Sequence, residues 1–186
     1  MTGTRAYHHG DLRRALLAAA VEAIEEVGPV ALSLRDLARR AGVSHAAPAH
    51  HFGDKAGLLT ALAAQGFDLL AQALTATADD LLDAGVAYVD FAVRHRAHFE
   101  VMFRTELYRA DDAELVAAQE RAGAALRSGV AALPARGAPV DADSDALAAW
   151  SIAHGFATLW LAGALPDRVG DNPSDAAREV LKRLTR

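Results

Sequence analysis

The run Ser33-Leu34-Arg35-Asp36-Leu37-Ala38-Arg39-Arg40-Ala41-Gly42-Val43-Ser44 constrains this chain more than any other segment. Leu34, Leu37, Ala38 and Ala41 recur at helical spacing behind Ser33, a residue suited to cap a helix. Gly42 then stops that helix, because glycine takes the left-handed backbone angle without steric cost. Val43 is placed to turn back into the angle, and Ser44 to cap a second, short helix over His45-Ala46-Ala47-Pro48-Ala49-His50-His51-Phe52. Two helices about so tight a turn form either a helix-turn-helix or an ordinary hairpin inside a helical core, and spacing alone fits both. The second helix is small-sided, so its backbone can approach whatever it faces; a DNA major groove admits such a helix, with its first side chains at the base edges.

The rest of the pattern is helical as well. Leu12, Leu16, Ala20, Ile24 and Val27 form one face of a helix that begins near Asp11 and stops at Gly28-Pro29. From Lys55 a helical pattern continues to about Leu82, a length of about 40 Å at the usual rise. Further helices are predicted over 115–133, 144–164 and 174–184, with 104–112 and 134–143 as loops. The periodicity predicts an all-α chain of two helical parts joined by the long helix.

These motifs come with neighbours that carry more than spacing. Leu16, Leu17, Ala19, Ala20 and Ile24, then Gly28, Leu32, Ser33 and Leu34, the Ala41-Gly42-Val43-Ser44 turn, and His51-Phe52-Gly53-Asp54-Lys55 followed by Leu58-Leu59 resemble the DNA-binding domain of the tetracycline-repressor (TetR) family of bacterial transcription regulators. The C-terminal half is similar to one subgroup through Trp150, His154 and Gly155. The resemblance implies an all-α architecture, an N-terminal three-helix helix-turn-helix domain over 9–69 joined by the long helix to a helical ligand-binding and dimerisation domain over 70–186. With it comes a DNA-binding regulator, a repressor released from a palindromic operator by a small molecule. It also implies a homodimer whose last two long helices pack against those of a second copy. One position departs from the pattern: a tyrosine whose hydroxyl contacts phosphate is replaced by Ala49, and His50 stands beside it.

Roles follow from that reading. Ser33 and Arg35 are expected to donate to phosphates, Ser44, His45, Ala46 and Ala47 to face base edges, and His50, His51 and Lys55 to hold the flanking backbone. An apolar Ala46 or Ala47 suits a thymine methyl, and His45 suits a purine acceptor. Two recognition helices related by a twofold axis read half-sites about one helical turn apart, so a dimer is expected from function too. In the C-terminal half Phe91, Phe99, Met102, Phe103, Trp150 and His154 are candidates for an effector pocket, since such sites are mainly aromatic with few polar groups. Trp150 and His154 lie one turn apart on one helix.

Charge does not oppose DNA binding. The net charge of −5 belongs to the C-terminal half: residues 1–55 hold seven basic against six acidic residues, and 56–186 twelve against eighteen. A duplex responds to the local field. With no cysteine, disulfides and thiolate chemistry are excluded. No nucleophile elbow is present, and Gly53-Asp54-Lys55 lacks the upstream glycine of a phosphate-binding loop, so an enzyme is not expected. Neither is a cofactor. His95 with His98, or His8 with His9, lacks further ligands at metal-site spacing and reads as solvated surface.

Residues 146–165 carry no formal charge, yet Ser151, His154 and Thr158 interrupt them and no basic cluster flanks them, so burial in protein is expected over a membrane span. The N-terminus shows no secretory signal, and a cytoplasmic protein is the simplest reading. The alternative function is a helical adaptor or ligand-binding protein without DNA affinity.

Overall fold

The computed structural model describes residues 8–77, 80–131 and 141–183. They form helices α1 (His8–Ala31), α2 (Leu34–Arg40), α3 (Ala47–Phe52), α4 (Lys55–Thr75), α5 (Leu81–Arg94), α6 (Arg96–Met102), α7 (Ala113–Ala131), α8 (Ala142–Leu161) and α9 (Pro173–Leu181). Single 3-10 turns occupy Thr105–Leu107 and Asp167–Val169. The all-α expectation holds throughout the described residues. The loop expected over 134–143 lies, up to residue 140, outside them.

Two compact units result. One is the chain up to Gly66 together with Ala97–Val116; the other is Phe67–Arg96 together with the chain from Ala117 onward. This differs from a single cut between residues 69 and 70, because α6 and its following loop pack back on the first unit. Gly66 explains why: a β-carbon there would stand 2.5 Å from the Met102 sulfur, so only glycine allows α6 this close to α4.

In the first unit α1 packs on α2 and α2 on α3. Leu16, Ile24, Leu37, Leu58, Leu59 and Leu62 are fully buried and form its core. Gly28 breaks α1 at φ 75, ψ 163, as Gly28-Pro29 predicted, although one further helical turn follows before α2. In the second unit α5 packs on α8 and α9, and α8 on α9. A β-carbon at Gly85 would lie 2.8 Å from a Leu181 methyl, so Gly85 gives that side chain room where α5 meets α9.

Caps set the boundaries where apolar periodicity misled. The long pattern from Lys55 ends at Thr75 and not near Leu82, because Asp80 accepts the N–H groups of Leu82 and Asp83 and starts a new helix there. Asp141 accepts from Ser144 at the head of α8, and Asn172 from Ser174 and Asp175 at the head of α9. Among the described residues α4, and not 146–165, is the helix long and apolar enough to cross a membrane. Its Leu58, Leu59, Leu62, Ala63, Phe67, Leu70 and Leu74 are instead buried in protein.

Candidate nucleic-acid interface

The turn between α2 and α3 is built as its sequence requires. Gly42 has φ +66, and the Val43 N–H reaches the Ala38 carbonyl at 3.0 Å while the Gly42 N–H reaches Arg39 at 3.2 Å. That paired closure satisfies the last carbonyls of α2. Ser33 has the extended backbone of a cap, but its hydroxyl caps no N–H of α2.

One expectation about this turn is corrected. Ser44 does not cap the second helix: its carbonyl accepts from Ala47, and α3 starts only at Ala47, with Pro48 in the first turn. Proline explains the shift, since its missing N–H is harmless only where a helix has no partner for it. Ser44, His45 and Ala46 therefore occupy the turn before α3, all exposed; Ala47 is half-buried on its first turn. On α3, Ala49 and His50 are exposed, His51 is half-buried and Phe52 is buried. Arg13 covers the Phe52 ring from 5.4 Å.

The basic side chains of α2 divide by partner. Asp36 accepts from Arg39 at 2.5 Å and from Arg40 at 2.6 Å, and Arg40 also forks onto Glu26 of α1 at 2.9 and 2.6 Å. These bonds hold the Asp36 and Glu26 carboxyls below their usual range, the Arg40 bond being the largest cause in each. Arg39 and Arg40 are thus spent on bracing the unit. Arg35, exposed on the first turn of α2, forms no ion pair with the described residues.

The corner from α3 to α4 carries residues that sequence reasoning missed. Gly53 ends α3 at φ 78, and Asp54 then accepts the Gly57 N–H at 2.9 Å, the bond that most lowers its pKa. A β-carbon at Gly57 would sit 2.0 Å from the Phe52 carbonyl oxygen, so the corner needs glycine. Lys55 donates to the Val30 carbonyl at 2.5 Å, which places its ammonium at the head of α4. Arg109 donates to Asp54 at 2.9 Å, and the Arg109 backbone N–H donates to the buried Thr60 hydroxyl at 3.0 Å. An Asp three residues before Gly57 is a readable helix cap; Arg109 left no comparable trace.

The six candidate pocket residues do not gather in one unit. Phe99, Met102 and Phe103 belong to the first, where the Phe99 and Phe103 rings meet edge-on at 5.2 Å. Phe91, Trp150 and His154 belong to the second. There Trp150 Nε1 donates to the Tyr88 hydroxyl at 3.0 Å, and that hydroxyl meets His154 Nδ1 at 2.9 Å. Tyr88 is 3% exposed, and burial raises its pKa. Burial lowers that of His154. A neutral His154 accepting at Nδ1 carries its proton at Nε2. His98, expected on the solvated surface, is instead buried and bonded to Gln65 at 3.2 Å, because α6 turns into the first unit.

On α8, Leu147, Ile152 and Leu159 are exposed, as is Val180 on α9.

Residues 16–62 match the family model described as bacterial regulatory proteins, tetR family, and residues 81–184 match the one described as tetracyclin repressor-like, C-terminal domain. A structure of a protein of unknown function from Rhodococcus sp. RHA1 is 37% identical, with 97% of this chain and 96% of that one covered and a TM-score of 0.79. The TetR family transcriptional regulator PfmR from Thermus thermophilus is 21% identical over 100% of this chain and 97% of that one, TM-score 0.71. AibR, solved in complex with isovaleryl coenzyme A and operator DNA, is 17% identical over 93% and 97%, TM-score 0.66. No curated protein matches the chain.

Proposed function

The chain belongs to the TetR family of bacterial regulatory proteins, and from that premise we propose that it is a cytoplasmic repressor released from a palindromic operator by a small molecule. As a member it is a sequence-specific DNA-binding transcription regulator with a helix-turn-helix and a helical C-terminal domain. Within this reading residues 9–69 bind DNA and 70–186 serve the effector and the dimer. It is not an enzyme in this reading: regulation needs only binding and a shift between conformations.

The observation that carries the reading is the α2 turn with the side chains around it. The closure at Gly42 leaves Ser44, His45, Ala46, Ala49 and His50 exposed together. Arg35, which forms no ion pair with the described residues, and the Ser33 hydroxyl, which caps no N–H of α2, donate to phosphates in this scheme. His50, His51 and Lys55 hold the flanking backbone, and Ser44, His45, Ala46 and Ala47 read base edges.

Leu147, Ile152 and Leu159 of α8 with Val180 of α9 support a homodimer through the last two helices, since burying exposed apolar side chains drives association. Trp150, His154 and Phe91, with Phe99, Met102 and Phe103, are the residues proposed to respond to the effector. AibR, bound to both an acyl coenzyme A and its operator, supports a ligand-responsive scheme of this kind without naming the ligand here.

The test is selection of genomic fragments by the purified protein, with footprinting at two salt concentrations. A palindrome protected by a dimer, with affinity falling steeply as salt rises, is the expected result. Recovery of DNA without a common palindrome would reject it and bring forward the adaptor reading.

A further inference from the structure

We propose that Arg109, carried by the loop after α6 and far outside the helix-turn-helix, is a further residue of the DNA interface: it shields the Asp54 carboxylate and offers its remaining N–H groups to the backbone phosphate beside Lys55. The inference rests on the DNA-binding reading above.

The loop is held so that Arg109 reaches one place. Tyr108, buried, donates its hydroxyl proton to the Met102 carbonyl at 2.8 Å. The Arg109 N–H donates to Thr60, whose own hydroxyl donates to Ala56 at 2.7 Å on α4. With its backbone fixed on both sides, the guanidinium extends over the α3 to α4 corner. Its Nη1 lies 3.0 Å from where a Gly57 β-carbon would be, and its Nη2 4.0 Å from that of Gly53. Gly57 leaves room for it, whereas at Gly53 a β-carbon would meet it only in ordinary contact.

Charge shows what it does there. Asp54 caps α4 from the position immediately before Lys55, the residue proposed to hold a phosphate. Alone, the two cancel, and a phosphate approaching Lys55 meets a carboxylate as well. Arg109 turns the corner net positive. Among the described residues its side chain bonds Asp54 through Nη2, which leaves further guanidinium donors, and the side chain is half-exposed. Arginine suits this place because its fork can hold a carboxylate on one edge and a phosphate on another.

The test uses the full-length protein and a duplex of random sequence, followed by fluorescence anisotropy across a salt series, with Arg109→Ala, Arg109→Lys and Asp54→Asn. Arg109→Ala should weaken binding several-fold at low salt and flatten the salt slope by about one ion per subunit, whereas Arg109→Lys keeps the slope. Asp54→Asn should bind more tightly than wild type, because asparagine still caps α4 but no longer repels phosphate. If Arg109 merely braces α4, Asp54→Asn will weaken binding and lower the melting temperature, and neither Arg109 variant will change the slope; that result overturns the proposal. A wild type whose binding ignores salt defeats the DNA-binding reading itself, and this inference with it. A steep wild-type slope matched by Arg109→Ala defeats this inference alone.

Discussion

Replacing Tyr88 with phenylalanine removes one oxygen and nothing else from the joint between α5 and α8. That oxygen accepts from Trp150 at 3.0 Å and bonds His154 at 2.9 Å, so its loss takes a partner from one indole N–H and one imidazole nitrogen. A net hydrogen bond is worth about 1 kcal/mol, and a buried polar group left alone costs about 1–3. Trp150 and His154 are only half-buried, so water can reach them and the lower part of that range applies to each. The ring itself keeps its packing. The expected loss is therefore about 2 kcal/mol, or about 4–8 °C in melting temperature for a chain of this length. Urea unfolding followed by circular dichroism measures it, with His154→Ala and the double variant completing a cycle. A loss below about 0.5 kcal/mol would show that the three side chains are adjacent without acting as one joint. The same would follow if the two single losses added fully in the double variant.

Further outcomes follow from other sites. Because burial lowers the His154 pKa from 6.5, the unfolded chain takes up its proton first as pH falls through that value; stability should be complete above it and decline below it until the folded protein is protonated too. Urea titrations between neutral and mildly acid pH check the sign, and His154→Gln should remove this part of the slope. Gly57→Ala drives a β-carbon to 2.0 Å from the Phe52 carbonyl and should cost more than about 3 kcal/mol. Gly42→Ala meets open space and suffers only its left-handed φ of +66, about 1–2 kcal/mol; thermal melts should rank them in that order. Ile152→Asp with Leu159→Glu should sediment as a monomer of unchanged helicity and lose more than about tenfold in operator affinity, since linked half-sites no longer act together.

How much of this could be read beforehand depended on distance along the chain. Gly28 and Gly42 each announce a break that any helix would need there, and the apolar faces of α1 and α2 repeat within a few residues. The misread boundaries lay where two local signals competed. Apolar spacing runs past Thr75 unbroken, and the Asp80 cap wins because a side-chain acceptor satisfies N–H groups that periodicity says nothing about. Ser44 looked like a cap, yet Pro48 moved the start of α3 to where its missing N–H does no harm. Trp150 and His154 could be paired from their spacing, but Tyr88, which joins them, comes 62 residues earlier than the tryptophan. Arg109 reaches Asp54 across 55 residues through a loop whose course depends on Tyr108 and Thr60. Such contacts are consequences of tertiary packing, and local spacing carries no trace of them.

Ala49 offers the sharpest separation of affinity from specificity. It is exposed on α3 beside His50, at the position where the resemblance to the family implies a tyrosine whose hydroxyl meets a phosphate. Ala49→Tyr adds a neutral donor without adding charge. A hydrogen bond of this kind is worth about 1 kcal/mol net, and a dimer gains two of them, so affinity should rise by up to about thirtyfold. The gain should be the same for operator and random duplex, because phosphate contacts position the protein without reading sequence. The salt slope should stay where it was, because no counterion is released by a hydroxyl. A gain confined to the operator would instead put residue 49 at a base edge. The exposed small side chains of the α3 turn would then extend their reading along the groove to residue 49, and an alanine there would serve specificity at the cost of a phosphate contact.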